Sequence, residues 1–248
     1  MQIAVAGGTG VVGRHVVTEA ERRGHDVRVL SRAKGVDLTS STGLDEHLAG
    51  VEAIIDVTSV QTMSAKKSTE FFERVTDNLT TAGENAGVRH LVALSIIGAP
   101  EIDAGYYAGK RAQERAVLAH SIGTVVRAAQ FHEFGVQTLE RTRIGPVALV
   151  PTIHSQPVST DEVAALLLDV GEGEPLGDGP SIAGPEVMQV ADMARLALAA
   201  RGERVRVIEF PMPGAFGRGL RGDLLLARSD TRIGEVTHEQ WLAREFPG

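Results

Sequence analysis

The sequence predicts an α/β protein with a doubly wound parallel sheet and a small C-terminal cap. Three observations lead to this prediction. Short apolar segments alternate with helical patterns through the first two-thirds of the 248 residues. Several of these segments are apolar without polar alternation, which is typical of parallel strands that are covered on both faces. A glycine-rich turn joins the first predicted strand to the first predicted helix.

The order of the predicted elements gives the parallel sheet. Strands are predicted in QIAVAG, DVRVLS, EAIIDVTS, VRHLVALS and GTVVRAAQ. Helices are predicted between them in VVGRHVVTEAERRG, LDEHLAG, STEFFERVTDNLTTAGENAG and YYAGKRAQERAVLAHS. Repeated strand–helix–strand units connect parallel strands by right-handed crossovers.

The pattern changes after residue 150. Helices are predicted in STDEVAALLLDV and VADMARLALAARG and a strand in RVRVIEF, whereas the tail from PMPGAFGRG onward is predicted to be irregular. We therefore predict a sheet domain over residues 1–150 and a cap over residues 151–248, packed on that domain as a single structural unit.

Composition and charge exclude several classes of protein. The net charge of −7 argues against a nucleic-acid partner, which would require a basic surface. No apolar segment approaches the roughly 20 residues that span a bilayer, and the start MQIAVAGG predicts no signal peptide. The chain has no cysteine, which excludes disulfides and thiol nucleophiles. We expect a cytoplasmic protein without nucleic-acid or membrane partners. A homo-oligomer is compatible with the sequence, but nothing in it supports one.

The sequence contains no pattern for metal-dependent or phosphate-transfer chemistry. Its eight histidines are scattered and show no His-Glu-x-x-His spacing, so we expect no metal. Neither a G-x-S-x-G nucleophile motif nor a G-x-x-x-x-G-K-[ST] phosphate-binding loop occurs.

A glycine pattern marks the turn after the first strand. Gly7, Gly10 and Gly13 follow the spacing G-x-x-G-x-x-G in VAGGTGVVGRHVV. In such a unit the first glycine permits a tight turn, the second lets a pyrophosphate approach the backbone, and the third lets the helix pack closely. Free N–H groups at the start of the helix attract a phosphate. The pattern predicts a dinucleotide-binding Rossmann fold over residues 1–150; a glycine-rich turn without a ligand is the alternative.

The end of the second strand predicts which dinucleotide is bound. A site specific for NAD would place Asp or Glu there to hold the ribose hydroxyls. The segment VLSRAKG has Ser31 at that place, followed by Arg32 and Lys34. A hydroxyl and a cation suit a 2′-phosphate, so NADP(H) is favoured over NAD(H). For Lys34 alone we favour a solvated surface charge.

These motifs and several others resemble the atypical short-chain dehydrogenases/reductases, specifically the NmrA-like NAD(P)-binding group. The resemblance covers most of the chain and rests on GGTGVVG, SRAKGVDL, LVALSIIGA, YYAGKRAQE, VVRAAQFHEF, QPVSTDEVA and GPEVMQVADMARL. It implies a nicotinamide cofactor and a C-terminal cap that binds a small-molecule substrate.

The resemblance also implies roles for individual residues. The glycine turn would hold the pyrophosphate through Gly7, Thr9, Gly10, Val11, Val12 and Gly13. On the adenosine side, Ser31 and Arg32 would contact the phosphate, Asp37 and Leu38 would lie beside the adenine, and Thr58 and Ser59 would lie along the adenosine. On the nicotinamide side, Ser95 and Ile96 would approach the ribose. Ala129, Gln130 and Phe131 would lie beside the nicotinamide. His132 and Phe134 would line the substrate pocket.

The stretch GYYAGKRAQERAV contains both tyrosines of the chain. At about 100° per residue, a helix places Tyr106 and Lys110 in one stripe. An ammonium group lowers the pKa of a nearby phenol, ordinarily about 10, so that the phenol can protonate a carbonyl oxygen. The pair matches the Tyr-x-x-x-Lys motif of the short-chain dehydrogenases/reductases. The match implies Tyr106 as proton donor, Lys110 as the residue that also holds the nicotinamide ribose, and Ser95 as the group that orients the substrate oxygen.

A packing role for this helix stays open, because Tyr and Lys four residues apart are common on ordinary helices. Tyr107 lies about 100° from Tyr106 around the helix and is predicted to be a packing residue. Arg111, Glu114 and Arg115 are predicted to face water.

Two functions from different classes are compatible with the sequence. The first is an NADPH-dependent oxidoreductase that transfers hydride to a small organic carbonyl, enone or quinone. The second is an NADP(H)-binding redox sensor of the NmrA-like type, which binds the dinucleotide without turning it over. No amphipathic surface helix marks a partner site, so the sequence favours the enzyme.

Overall fold

The protein is described by a computed structural model over residues 1–247. It forms two compact units. The first contains residues 1–127 and 160–180, and the second contains residues 128–159 and the described chain from residue 181 onward. The unit boundaries therefore fall after residues 127, 159 and 180, whereas the sequence pattern predicts one boundary at residue 150.

Residues 1–247 contain strands, α-helices and three short 3₁₀ helices. The strands are β1 (Gln2–Ala6), β2 (Asp26–Leu30), β3 (Ala53–Asp56), β4 (His90–Ile96), β5 (Gly123–Ala128), β6 (Arg143–Ile144), β7 (Val147–Pro151), β8 (His154–Ser155), β9 (Gly177–Ala183), β10 (Met188–Gln189), β11 (Arg206–Phe210) and β12 (Arg232–Ile233). The α-helices are α1 (Val11–Arg22), α2 (Leu44–Leu48), α3 (Ala65–Ala86), α4 (Gly105–Leu118), α5 (Glu133–Thr142), α6 (Thr160–Gly171), α7 (Val190–Ala200), α8 (Gly214–Arg221) and α9 (His238–Glu245). The 3₁₀ helices are Arg32–Lys34, Ala99–Glu101 and Asp223–Leu225.

The first unit is built on a sheet with the strand order β9-β5-β4-β3-β1-β2. β1 pairs in parallel with both β2 and β3, and β3 pairs in parallel with β4. Helices α1 and α6 pack together, and so do α3 and α4, which gives the sheet its helical layers. The predicted α/β fold with a parallel sheet is confirmed. Helix α6 belongs to this unit because it packs on α1, β3 and β4.

The register of the central strands brings three chain segments to one edge of the sheet. Ala6 at the end of β1 is opposite Leu30 on β2 and Asp56 on β3. The residues that follow these three strands therefore leave the sheet at the same level. In parallel α/β sheets, ligands bind at this carboxyl edge.

The core of the first unit consists of small and medium aliphatic side chains. All four residues of β3 are buried, and so are the first six of β4. Ile54, Leu79 and Leu91 are among the fully buried members of the core. Burial of both strand faces agrees with the lack of polar alternation in the sequence. No helix in the described part of the chain is long and apolar enough to cross a membrane.

The second unit has its own small sheets and helices. Strands β11, β7 and β6 form a three-stranded sheet in that order, and β8 pairs with β10 in antiparallel orientation. The last residues of β9 pair in parallel with β12. Val136 of α5, Ala197 of α7 and Trp241 of α9 meet in a compact hydrophobic cluster.

The C-terminal tail contains regular structure, so the prediction of an irregular tail was wrong. Helices α8 and α9 both form in it. Thr237 caps α9 by accepting a hydrogen bond from the Gln240 N–H, and the Gln240 side chain binds back to the Thr237 N–H. This capping box is visible in the sequence as Thr-x-x-Gln and was the signal that could have located the helix.

Candidate active site

The glycine turn holds the ends of three strands together. Gly7 has a positive φ of 81°, and its N–H donates to the Leu30 carbonyl at 2.8 Å. A Cβ at Gly7 would lie 3.0 Å from the backbone nitrogen of Thr58. The turn therefore packs against the segments that follow β2 and β3, and this packing requires a residue without a side chain.

A side chain added at Gly13 would collide with the backbone of the turn, whereas one added at Gly10 would have few neighbours. A Cβ at Gly13 would lie 2.6 Å from the Cα of Gly8, so helix α1 can approach the turn only with glycine there. A Cβ at Gly10 would meet only the Gly7 carbonyl oxygen, at 3.2 Å. The packing of the protein itself therefore does not explain Gly10, which leaves open space beside the turn.

The N-terminus of α1 is free for an anion. Gly10 is its N-cap and supplies no side-chain cap. Val11 begins the helix and Val12 is buried, whereas Thr9 is exposed in the turn. An uncapped helix start presents N–H groups and a partial positive charge, which favour a phosphate.

Two buried hydroxyl groups next to the turn have no hydrogen-bond partner. Ser31 follows β2, and Thr58 lies two residues after β3; both side chains are buried. Neither Ser31 Oγ nor Thr58 Oγ1 has a partner in the structure. Buried polar groups are normally paired, so two unpaired hydroxyls at one sheet edge indicate a polar ligand. Together with the space at Gly10, they fit the polar groups of a dinucleotide.

The segment after Ser31 carries exposed charges and the core residues Val36 and Leu38. Arg32 is exposed and begins a 3₁₀ helix. The Thr39 backbone N–H and hydroxyl both donate to the Asp37 carboxylate and lower its pKa. Leu38 is buried in the core, and its carbonyl accepts from the Asn78 side chain at 2.9 Å. The structure thus places Asp37 in a local turn and Leu38 beneath it.

Tyr106 lies in the first turn of α4 and contacts Ser59. The Tyr106 hydroxyl is 3.0 Å from Ser59 Oγ. The phenol ring packs edge-to-face on Phe72, with ring centroids 5.5 Å apart. The backbone carbonyl of Tyr106 accepts from Ser68 Oγ at 3.0 Å. The phenol oxygen is thereby directed toward the segment that follows β3.

Lys110 is buried, with only 4% of its surface exposed. Its ammonium group donates to the Leu94 carbonyl at 2.8 Å and to Gln113 Oε1 at 2.9 Å. The group also lies 4.3 Å from the centroid of the Phe72 ring. Burial lowers the pKa of Lys110 to about 8, while the charges of Asp56 and Glu114 act to raise it. Two of its three N–H donors are thus used inside the protein.

A buried chain of hydrogen bonds connects Lys110 to the end of β3. Gln113 connects Lys110 with Asp56, because its side-chain amide donates to the Asp56 carboxylate at 2.8 Å. The other oxygen of Asp56 accepts from the Thr58 N–H at 2.9 Å. Asp56 was not predicted from the sequence as part of the site. Its position as an acid at the end of an apolar strand was the available signal.

Ser95, near the end of β4, belongs to a second buried network. Its hydroxyl donates to Glu114, which is paired with Arg127 at 2.7 Å. Burial opposes the charge of Arg127, but its bonds to Glu114 and Asp178 outweigh this and raise its pKa. Glu114 was predicted to face water; this was wrong, because Ser95 and Arg127 partner it inside the protein. Ile96 follows as the partly exposed last residue of β4.

The predicted nicotinamide loop and substrate residues belong to the second unit. The Ala129 N–H donates to the Ile182 carbonyl at 2.8 Å, and the Gln130 carbonyl accepts from the Val158 N–H at 2.9 Å. Phe131 forms a β-bridge with Val158. Phe134 is partly buried in the first turn of α5. These backbone bonds give the loop a defined conformation.

His132 is fully buried in the second unit. Its Nδ1 lies 3.1 Å from Nδ1 of His238, and its Nε2 lies 3.1 Å from the Val236 carbonyl. The ring stacks on Trp241 with a centroid distance of 5.8 Å. Burial and then the neighbouring His238 lower the pKa of His132 to about 4. The structure therefore gives His132 a place in the core.

Comparison with known proteins agrees with the geometry of the first unit. Residues 3–121 match the sequence model of the NAD dependent epimerase/dehydratase family. The chain is also 28% identical over 236 residues to a (4-alkanoyl-5-oxo-2,5-dihydrofuran-3-yl)methyl phosphate reductase of Streptomyces griseus subsp. griseus. That similarity covers 86% of this chain and 78% of the relative.

Two solved structures show the same architecture at low sequence identity. A short-chain dehydrogenase/reductase superfamily protein from Agrobacterium tumefaciens with bound NAD has a TM-score of 0.71 and 18% identity, covering 100% of this chain and 96% of that one. A dTDP-4-dehydrorhamnose reductase from Bacillus anthracis in complex with NADP has a TM-score of 0.66 and 14% identity, covering 97% and 92%. This chain therefore shares the fold of these two structures. Solved relatives of this fold thus include both NAD and NADP complexes.

The two glycines of the turn make opposite predictions. We expect Gly10→Val to remain folded, because only one contact of its Cβ is close, and to lose dinucleotide binding. We expect Gly13→Ala to lower the free energy of unfolding, because its Cβ would collide with Gly8. Denaturant unfolding and calorimetric titration with NADPH and NADH measure both effects. Undiminished binding by a folded Gly10→Val variant would place the nucleotide elsewhere.

The low pKa of His132 predicts a loss of stability in acid. In the unfolded chain this residue binds a proton near pH 6.5, but in the folded chain only near pH 4. The unfolded state therefore takes up more protons between these values, and stability falls as the pH is lowered through this window. The expected loss from His132 is roughly 2–3 kcal/mol.

Unfolding free energies of the wild type and of His132→Gln, measured from pH 7.5 to pH 4, test this expectation. The exposed His47 provides a matched control through His47→Gln. The variant at residue 132 is expected to show the shallower pH dependence, and equal slopes for all three proteins would contradict the prediction.

Proposed function

We propose that this protein is an NAD(P)-dependent oxidoreductase of the short-chain dehydrogenase/reductase type. One observation carries the proposal. The turn formed by Gly7 and Gly10 leaves open space at an uncapped helix start, and the unpartnered hydroxyls of Ser31 and Thr58 flank it. The family-model match and the curated reductase support a nicotinamide-dependent enzyme. Within this type, the motifs of the sequence favour the NmrA-like group.

The residues of the first unit suit the parts of a dinucleotide. The glycine turn and the start of α1 would hold the pyrophosphate, because backbone N–H groups and the helix dipole favour an anion. Ser31 and Thr58 would bind polar groups of the adenosine. When bound, the reduced nicotinamide supplies a hydride to the substrate.

NADP(H) is the preferred cofactor in this proposal. No acid stands at the end of β2, where a site specific for NAD would need one. Ser31 and the exposed Arg32 stand there and suit a 2′-phosphate. Asp37 lies six residues beyond that position, in a local turn where its Oδ1 accepts from the backbone N–H and the hydroxyl of Thr39.

The proposed substrate is a small organic carbonyl, enone or quinone. The name of the curated relative contains a ring double bond that is conjugated to a lactone carbonyl and to an alkanoyl ketone, and the double bond and the ketone together form an enone. Tyr106 would donate a proton to the substrate oxygen, since its hydroxyl is partly exposed at the start of α4. Lys110 would favour proton release through its positive charge, from a buried position behind Phe72.

One observation favours a second candidate function, a dinucleotide sensor without turnover. Ser95 and two of the Lys110 donors are used in internal bonds, which leaves Tyr106 as the most accessible of the three predicted catalytic residues. NADPH oxidation with a panel of quinones, aldehydes and unsaturated lactones separates the candidates. Sustained turnover supports the enzyme, whereas tight NADPH binding without turnover on any class supports the sensor.

Arg32 is expected to distinguish the two cofactors. Arg32→Ala should weaken NADPH binding roughly tenfold or more, because it removes a charged partner of the phosphate, and should leave NADH binding nearly unchanged. Lys34→Ala is the matched control and is expected to change neither. Titration calorimetry gives both constants, and equal losses for NADPH and NADH would exclude phosphate recognition by Arg32.

Tyr106→Phe is the direct test of the proton donor. The change keeps the ring on Phe72 and removes the hydroxyl. Carbonyl reduction should fall by roughly 10²–10⁴-fold in kcat/KM, the usual effect of a positioned general acid. NADPH binding should survive, and quinone reduction should fall less because a reduced quinone can take protons from water. Tyr107→Phe is the control. An unchanged rate on an aldehyde would make Tyr106 a packing residue.

A further inference from the structure

We propose that Ser59 is the positioning residue for Tyr106, in place of a contact with the adenosine. This inference rests on the proposed function, in which Tyr106 donates the proton. The observation that carries it is the 3.0 Å distance between Ser59 Oγ and the Tyr106 hydroxyl. Ser59 lies three residues after β3, at the same sheet edge as the glycine turn.

Other residues of the protein hold both partners of this hydrogen bond in place. The Thr58 N–H donates to the buried Asp56 carboxylate, which fixes the segment just before Ser59. The Tyr106 backbone carbonyl accepts from Ser68, and its ring rests on Phe72. The contacts with Asp56, Ser68 and Phe72 thus hold the hydroxyls of Ser59 and Tyr106 together at a partly exposed place.

The alternative hydroxyl, Ser95, is used elsewhere. It donates to Glu114, and Glu114 is also bound by Arg127. A hydroxyl has one proton to donate, so this bond leaves Ser95 without a donor for a phenolate or a substrate oxygen. Ser59 has no such competing bond among the contacts of the described residues.

The pair has a specific task during proton transfer. When the O–H bond of Tyr106 breaks, its proton forms a new O–H bond with the substrate oxygen, and the electron pair stays on the phenol oxygen. Ser59 then donates its own proton in a hydrogen bond to this phenolate. A hydrogen bond to a charged acceptor is about twice as strong as one between neutral groups. Ser59 therefore stabilises the deprotonated form and eases proton release.

Ionisation of Tyr106 can be measured without cofactor or turnover. The chain has two tyrosines, so Tyr107→Phe leaves Tyr106 as the only one. In this background, the tyrosinate absorbance near 295 nm is followed as the pH is raised, for the protein with Ser59 and for the variants Ser59→Ala and Ser59→Thr. Ser41→Ala, at an exposed serine outside the predicted site, is the matched control. Circular dichroism confirms that each variant is folded over the titrated range.

We expect Ser59→Ala to raise the ionisation midpoint of Tyr106 by about half a pH unit or more, because the phenolate loses its donor. Ser59→Thr should restore the midpoint, since threonine keeps the hydroxyl, and Ser41→Ala should not change it. Lys110 is present in every variant, so its charge contributes equally. An unchanged midpoint in Ser59→Ala overturns the proposal.

Kinetics provide the second readout. Ser59→Ala should lower kcat for carbonyl reduction while the NADPH dissociation constant stays the same, and Ser59→Thr should recover most of the rate. If Ser59→Ala weakens NADPH binding and leaves kcat unchanged, Ser59 contacts the cofactor, and the inference is overturned. If the wild type shows no turnover, the proposed enzyme fails, yet the tyrosinate titration still decides whether Ser59 controls the phenol.

Discussion

The close approach of helix α1 to the turn after β1 is the constraint on which the first unit depends. With any side chain at Gly13, the helix would have to move away from Gly8. Because α1 lies this close to the turn, the helix begins near the end of β1, and its uncapped N-terminus lies at Gly10. Gly7 completes the arrangement by binding the end of β2 and packing on the segment after β3. Backbone geometry alone thus leaves N–H groups at this edge of the kind that bind anions.

Buried polar networks support the carboxyl edge of the sheet from below. Asp56, Gln113 and Lys110 connect the end of β3 with helix α4, and Lys110 continues to β4 through the Leu94 carbonyl. Buried polar groups destabilise a fold unless each has a partner, and the bonds of this network provide them. The network therefore fixes α4 relative to the strands. Tyr106, one turn before Lys110, takes its position from this support.

The local sequence predicted most of the first unit because its patterns are local. Apolar strands, glycine-terminated helices and the spacing of Gly7, Gly10 and Gly13 each depend on a few neighbouring residues. Glu114 and the C-terminal tail show the limit of this reasoning. Helical spacing placed Glu114 in water, but its carboxylate is buried and pairs with Arg127 on β5. The tail was predicted to be irregular, although Thr237 and Gln240 form a helix start that can be read in the sequence.

The sequence by itself determined the α/β class, the parallel strands and the glycine turn, because hydrophobic periodicity and glycine spacing act over short distances. It also placed Tyr106 and Lys110 on one side of a helix. Only the tertiary structure decided what these side chains contact. It directed Lys110 to Leu94 and Gln113, and it brought Ser59 to within 3.0 Å of the Tyr106 hydroxyl. Such contacts depend on how distant strands and helices pack, and no local pattern in the sequence encodes that distance.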